Sequence, residues 1–151
     1  VDACRISCDV DLKYSPKYYN KLGINLELPS AQNAITNSVF RRHLNGRVFC
    51  NDPDVFFLRE KNLTFTKEQK LLLAKINNLC GDVLFVSDNA GDYSDEDIEL
   101  LKKFFKKNEC LIISAGFISE NEIQVCYTEG EKKKTLEFNL ATGKSNVEKL
   151  I

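Results

Sequence analysis

The stretch GRVFCNDPDVFFLR, Gly46 to Arg59, carries an apolar strand pattern directly into Asn51-Asp52-Pro53-Asp54. Proline lacks a backbone N–H and fixes its own φ, so a strand that meets it must leave at a set geometry. The sequence therefore predicts a turn out of the strand here, with Asp52 and Asp54 held in place. Held carboxylates at a strand end suit sugar hydroxyls, a hard metal ion or acid–base chemistry.

Two further runs end the same way. VDACRISCD finishes at Asp9, GRVFCND at Asp52 and GDVLFVSD at Asp88. Short continuous apolar runs of this type suit buried parallel strands. A helical pattern follows each. The first opens at Ser30 with a stripe of Ile35, Val39, Phe40 and Leu44, and stops at Asn45-Gly46. The second opens at Thr66 with Gln69 in capping-box position and turns Leu72, Leu73, Ile76 and Leu79 inward as far as Gly81. The third opens at Ser94, with Asp95, Glu96 and Asp97 at the positive end of the helix dipole. Its stripe is Ile98, Leu101, Phe104 and Phe105.

Residues 1–107 thus read as three strand–helix units of an α/β fold. A boundary falls near Lys107–Glu109. Residues 108–151 read as a small antiparallel β unit, because Leu136, Phe138 and Leu140 alternate with Thr135, Glu137 and Asn139. A charged hairpin turn is expected over Glu129–Lys134. In parallel α/β architectures ligands gather at the carboxyl ends of the strands. Asp9, Asp52, Asp54 and Asp88 are therefore expected on one rim, although a strand-end aspartate can equally cap the loop after it.

Composition narrows the partners. With 21 basic and 22 acidic residues the net charge is −1, which gives no electrostatic footing for nucleic acid or a membrane surface. No apolar run approaches the ~18 residues of a membrane span. The chain starts at Val1 without a basic-then-apolar leader and contains no Met, so a processed chain or a piece of a longer one is expected. Cys4, Cys8, Cys50, Cys80, Cys110 and Cys126 include no Cys-x-x-Cys pair, and His43 is the sole histidine, so no closed zinc site is expected. Reduced, buried thiols in a cytoplasmic protein are the expectation.

RISCDV at 5–10, NDPDVFFLR at 51–59 and GDVLFVSDN at 81–89, in that order with helices between, resemble the C-terminal third of a melibiase-type α-galactosidase. That family consists of retaining glycoside hydrolases with a (β/α)8 barrel followed by a β domain. The resemblance implies a partial barrel, its last three strand–helix units, acting on an α-galactoside or related sugar without a cofactor or metal. By the same resemblance Asp9 matches the general acid/base and Arg5 the arginine near the sugar 2-hydroxyl. Asp52, Asp54 and Asp88 match the pocket rim, with Ser87 beside the last.

Retention requires two carboxyls ~5 Å apart, one of them kept protonated to serve as the acid. Arg5 is therefore expected to point at substrate or at a carboxylate other than Asp9. The family's nucleophile lies on the fourth barrel strand, which this sequence does not include. Where the family has a tryptophan after the acid/base, this sequence offers Tyr14 or Tyr18. Three strands cannot close a barrel, so the missing N-terminal portion, or self-association through open sheet edges, is the expected partner, and the isolated chain is expected to be inactive. Two alternatives stand beside this: a binding module holding Ca²⁺ or Mg²⁺ through Asp52, Asp54 and Asp88, and a folded remnant without a ligand.

Overall fold

Hydroxyl side chains set the start of each described α-helix. The structure, a computed structural model, describes residues 2–15, 28–106 and 110–151. Helix α1, Ala31–Arg41, starts at Ser30, whose Oγ accepts the Asn33 amide at 3.2 Å. A single 3-10 turn, Arg42–Leu44, extends it, and Gly46 follows in the left-handed region at φ 69°. Helix α2, Lys67–Cys80, starts with the complete Thr66/Gln69 capping box and ends at Gly81. Helix α3, Asp95–Phe105, starts with a second reciprocal box between Ser94 and Asp97. Boxes of this kind satisfy two otherwise unpaired N-terminal amides.

The middle parallel strand is the stretch that opens the sequence reading, and it is broken in two. Strand β1, Ala3–Arg5, pairs in parallel with β2, Cys50–Asp52. Strand β3, Val55–Phe56, pairs in parallel with β4, Phe85–Val86. Between β2 and β3 stand Pro53, which cannot donate to a ladder, and Asp54, at φ 73°. The predicted exit from the strand does not occur. The chain kinks, then resumes pairing with its other neighbour.

The order is strand–helix three times, in a mixed α/β arrangement with small parallel sheets and, among the described residues, no closed barrel. The strands are much shorter than the sequence runs suggest, and β1 is exposed along its whole length, Cys4 included. Neighbouring segments to cover them are absent from the described residues, so apolar composition alone overstates their burial. The expected α3 stripe is also only partly realised. Phe104 is buried, while Ile98 and Phe105 are 37% and 46% exposed. Helix α3 follows the outermost strand and has α2 as its helix neighbour on one flank only.

The C-terminal unit is a meander of β5, Cys110–Phe117, β6, Glu122–Glu129, and β7, Lys132–Asn139, all antiparallel. Its inner face alternates as the sequence indicates: Ile123, Val125 and Tyr127 on β6, then Leu136 and Phe138 on β7, are buried, as is Leu140 beyond. The hairpin turn is tighter than expected. Gly130, at φ 59°, and Glu131 make it alone, while Lys132–Lys134 lie within β7. Leu72, Leu73 and Ile76 of α2 join these strand residues, Phe56 and Val147 in one apolar cluster. The boundary expected at 107–109 lies outside the described residues. None of the described helices is long and apolar enough to cross a membrane.

Candidate functional site

Asn51 is the anchor of the kink. Fully buried, it donates its backbone amide to Asn45 Oδ1 at 2.8 Å and its side-chain amide to Cys80 O at 3.1 Å. Its carbonyl accepts the amides of Asp82 and Val83. Gly81 lets the strand approach this closely, since a Cβ there would lie 2.5 Å from the Pro53 ring. Asp52 Oδ1 accepts the Asp54 amide at 2.9 Å, the side-chain-to-backbone turn that aspartate favours before a left-handed residue. Asn77 of α2 donates to the Asp54 carbonyl at 3.0 Å, and Ser7 Oγ to the Pro53 carbonyl at 2.8 Å. A left-handed aspartate costs about 1–2 kcal/mol, and these bonds oppose it from several sides.

Arg5, the last residue of β1, collects the carboxylates around this kink. Its guanidinium lies 2.8 Å from Asp9 Oδ1, 3.0 Å from Asp54 Oδ1 and 3.5 Å from Asp52 Oδ2. Asp54 is buried and gives its second oxygen to the Val10 amide at 2.8 Å. Asp9 is at the opposite extreme, its side chain 79% exposed. The cluster is therefore graded, from an enclosed carboxylate to a solvated one, with an arginine 43% exposed between them.

The expectation that Arg5 avoids Asp9 does not hold: Arg5 pairs with Asp9 as well as with Asp52 and Asp54. The cause is local. The strand expected to run to Asp9 ends at Arg5, and a bend at Ser7 brings Asp9 back over the guanidinium.

Asp88 is not part of this cluster. Its side chain is fully enclosed, and Oδ2 accepts the Leu58 amide (2.5 Å), the Arg59 amide (3.1 Å) and the Tyr93 hydroxyl (2.6 Å). Oδ1 faces the Arg59 guanidinium at 3.3 Å, and that guanidinium also bonds the Ser87 carbonyl. In this arrangement Asp88 ties the end of β4 to the end of β3. A cleft of about 530 Å³ opens beside it, walled by Arg59, Asn62, Asn89 and Tyr93. Among the described residues no group of three or more His, Cys, Asp or Glu side chains is placed to hold a metal ion.

No protein-family model and no curated protein matches this chain.

Tyr14 is a correction to the expected aromatic platform. It is 5% exposed, sits edge-on to Phe65 at 6.0 Å between centroids, and donates its hydroxyl to Leu140 O at 3.2 Å. Burial pushes its phenol well above the ordinary range. Tyr18 lies outside the described residues. The expectation of buried thiols holds fully only for Cys80, whose pKa burial pushes up to about 12.

Asn51, Asn77, Ser7 and Tyr93 are the side chains that sequence reasoning missed. Asn51 was within reach, because a polar residue ending an apolar strand run must bond something. The partners of Asp88 were not, since Arg59 and Tyr93 come from either side of an entire helix.

Proposed function

We propose that this chain supplies the C-terminal wall of a carbohydrate-cleaving barrel of the α-galactosidase type, with Arg5, Asp9 and Asp52 on the sugar-facing rim. Support comes from Arg5, which gathers carboxylates from the ends of two adjacent parallel strands into one rigid, partly solvated cluster. That is where parallel α/β folds place ligands. Asp9 is the proposed acid/base by the sequence resemblance to that family, a role that requires its pair with Arg5 to open when the sugar binds. Asp54 supports Arg5 from behind. Asp88 fixes the shape of the neighbouring rim.

Further support comes from the sheet edges. Among the described residues β1 has no second partner beyond β2, nor β4 beyond β3, and Phe85 on β4 is 49% exposed. Unpaired edges of this kind are templates for additional strands, here the remaining wall carrying the nucleophile, or a second copy. Free thiols at all six cysteines fit a cytoplasmic setting.

The test is titration of the 151-residue chain with galactose and with a galacto-configured iminosugar, followed by NMR. Saturable shifts at Arg5 and Asp52, absent with Arg5→Ala, are expected, together with no turnover of α-galactosides. Silence at the cluster removes the sugar assignment. Turnover that Asp9→Asn abolishes would overturn the expectation of inactivity.

A further inference from the structure

Lysine seldom occupies the interior of an apolar helix unless its ammonium has a task. Lys75 lies within LLLAKINNL of α2, flanked by Ala74 and Ile76, and is only 5% exposed. Lys70, one turn earlier and equally buried, has its needs met: it donates to the Leu58 and Arg59 carbonyls and pairs with Glu60. Lys75 does not. Among the described residues its ammonium has no hydrogen-bond acceptor, and it stands over the face of Tyr127 at 5.3 Å from the ring centroid. The hydroxyl of that tyrosine is also enclosed without a partner.

The ammonium faces a pocket of about 240 Å³ where α2, the end of α3 and the β6–β7 hairpin meet. Lys103, Lys106 and Lys134 join Lys75 in its lining, with Asn78, Leu150, Ile151 and one side-chain carboxylate, Glu129. Glu129 is paired with Lys134. Lysines near the end of α3 have a simpler purpose, to offset the negative end of the helix dipole. That explains Lys103 and Lys106 but not Lys75, which comes from the middle of another helix and bonds no terminal carbonyl. Asn78 already satisfies the Phe104 carbonyl, at 2.7 Å.

We infer that this pocket is a binding site for a small oxyanion of the phosphate type, with Lys75 as its inner ligand and Lys103, Lys106 and Lys134 around the mouth. The chemistry is that of several ammonium donors converging on a group rich in acceptor oxygens. Size sets the class, because the volume lies below the roughly 300–1,000 Å³ of pockets for drug-sized ligands. A phosphate fits inside the pocket; the rest of a nucleotide would have to project from the mouth. Desolvation lowers the Lys75 pKa, with Glu129 working the other way. An anion bound beside it would raise that pKa again, by the reciprocity of linked equilibria. The site lies apart from the Arg5 cluster and does not depend on the sugar assignment.

The experiment is titration of the full chain with sodium phosphate, with sodium chloride at matched ionic strength as control, read by NMR on backbone amides and lysine Cε. Saturable shifts at Lys75, Asn78 and Tyr127, an upward move of the Lys75 titration, and at least about tenfold weaker binding in Lys75→Gln are expected. Shifts that never saturate, that spread over surface lysines alike, or that persist in a folded Lys75→Gln would overturn the inference. If Lys75→Gln does not fold, the exposed double variant Lys103→Gln/Lys106→Gln decides. Several-fold weakening supports the site, and unchanged binding refutes it.

Discussion

Replacement of Asp88 by alanine removes the acceptor that closes the β3–β4 end of the sheet. Four donors lose their partner: the amides of Leu58 and Arg59, the Tyr93 hydroxyl and the Arg59 guanidinium. The last two belong to half-exposed side chains that can turn to water. The two amides cannot move so freely, since Leu58 is 6% exposed. At about 1–3 kcal/mol for each stranded buried donor, the loss comes to about 4 kcal/mol, within the roughly 3–5 kcal/mol seen when one partner of a buried pair is removed. For a chain of this length that lowers Tm by about 8–16 °C.

Asp88→Asn retains one carbonyl oxygen for the amides and should cost about 1–2 kcal/mol. Urea unfolding followed by circular dichroism measures both, with an unchanged slope as the sign that only stability has moved. If the alanine variant loses less than about 1 kcal/mol, or the two variants lose the same, then the carboxylate is not what holds this end together.

Gly143, at φ 72°, has no room for a side chain, because a Cβ would meet Gln69 at 2.5 Å and Tyr14 at 2.9 Å, whereas Gly130, at φ 59°, has nothing within 4 Å. Gly130→Ala should therefore show only the left-handed penalty of about 1–2 kcal/mol and Gly143→Ala clearly more, in paired denaturation curves. Desolvation raises the phenol pKa values of Tyr14, Tyr93 and Tyr127, with the Asp88 hydrogen bond adding to the effect at Tyr93. Below the unfolded value near 10 their contribution to stability is fully present, and it is lost as pH rises through that value toward the folded ones. Phenolate absorbance and circular dichroism should then change together above pH ~10; phenolate appearing at pH ~10 with the fold intact would refute this. A disulfide-exchange reagent should label exposed Cys4 first and buried Cys80 only on unfolding, a sequence that mass spectrometry reads directly.

What the sequence disclosed was local. Ser30, Thr66 and Ser94 start helices through bonds to residues three positions on, so their reading needs nothing from the rest of the chain. The alternation at Leu136, Phe138 and Leu140 is equally self-contained, since one face of a strand is buried by whatever covers it. Strand length was not legible. The runs to Asp9 and Asp88 read as strands, but a ladder extends only where a neighbour is in register. A bend at Ser7, bonded to the Pro53 carbonyl 46 positions away, ends the first. The candidate site was half legible. Arg5, Asp52 and Asp54 come together where two strand ends adjoin, Asp9 joins them only through the bend at Ser7 and pairs with Arg5 against expectation, and the enclosure of Asp88 depends on Arg59 and Tyr93, whose convergence no spacing reveals.

The kink at Asn51–Asp54 is held far more firmly than a simple chain reversal requires. A turn needs one or two bonds, yet here Asn45, Asn51, Asn77, Ser7 and Asp52 each contribute one, and Gly81 gives up its side chain to let Pro53 approach. All of these partners lie within the described residues: Asn77 and Gly81 on α2 and at its end, Asn45 after α1, Ser7 after β1, and Asn51 and Asp52 on β2 itself. The geometry of Asp52 and Asp54 therefore does not depend on closing a barrel. Strain kept in place by surroundings that over-determine it is a property of sites that must be ready before a ligand arrives. A purely structural ion-pair knot has little use for an exposed arginine, because exposed pairs contribute little to stability. Arg5 instead remains 43% exposed with Asp9 beyond it in solvent. That combination, an over-determined base beneath an open charged surface, is what favours a binding rim over a staple.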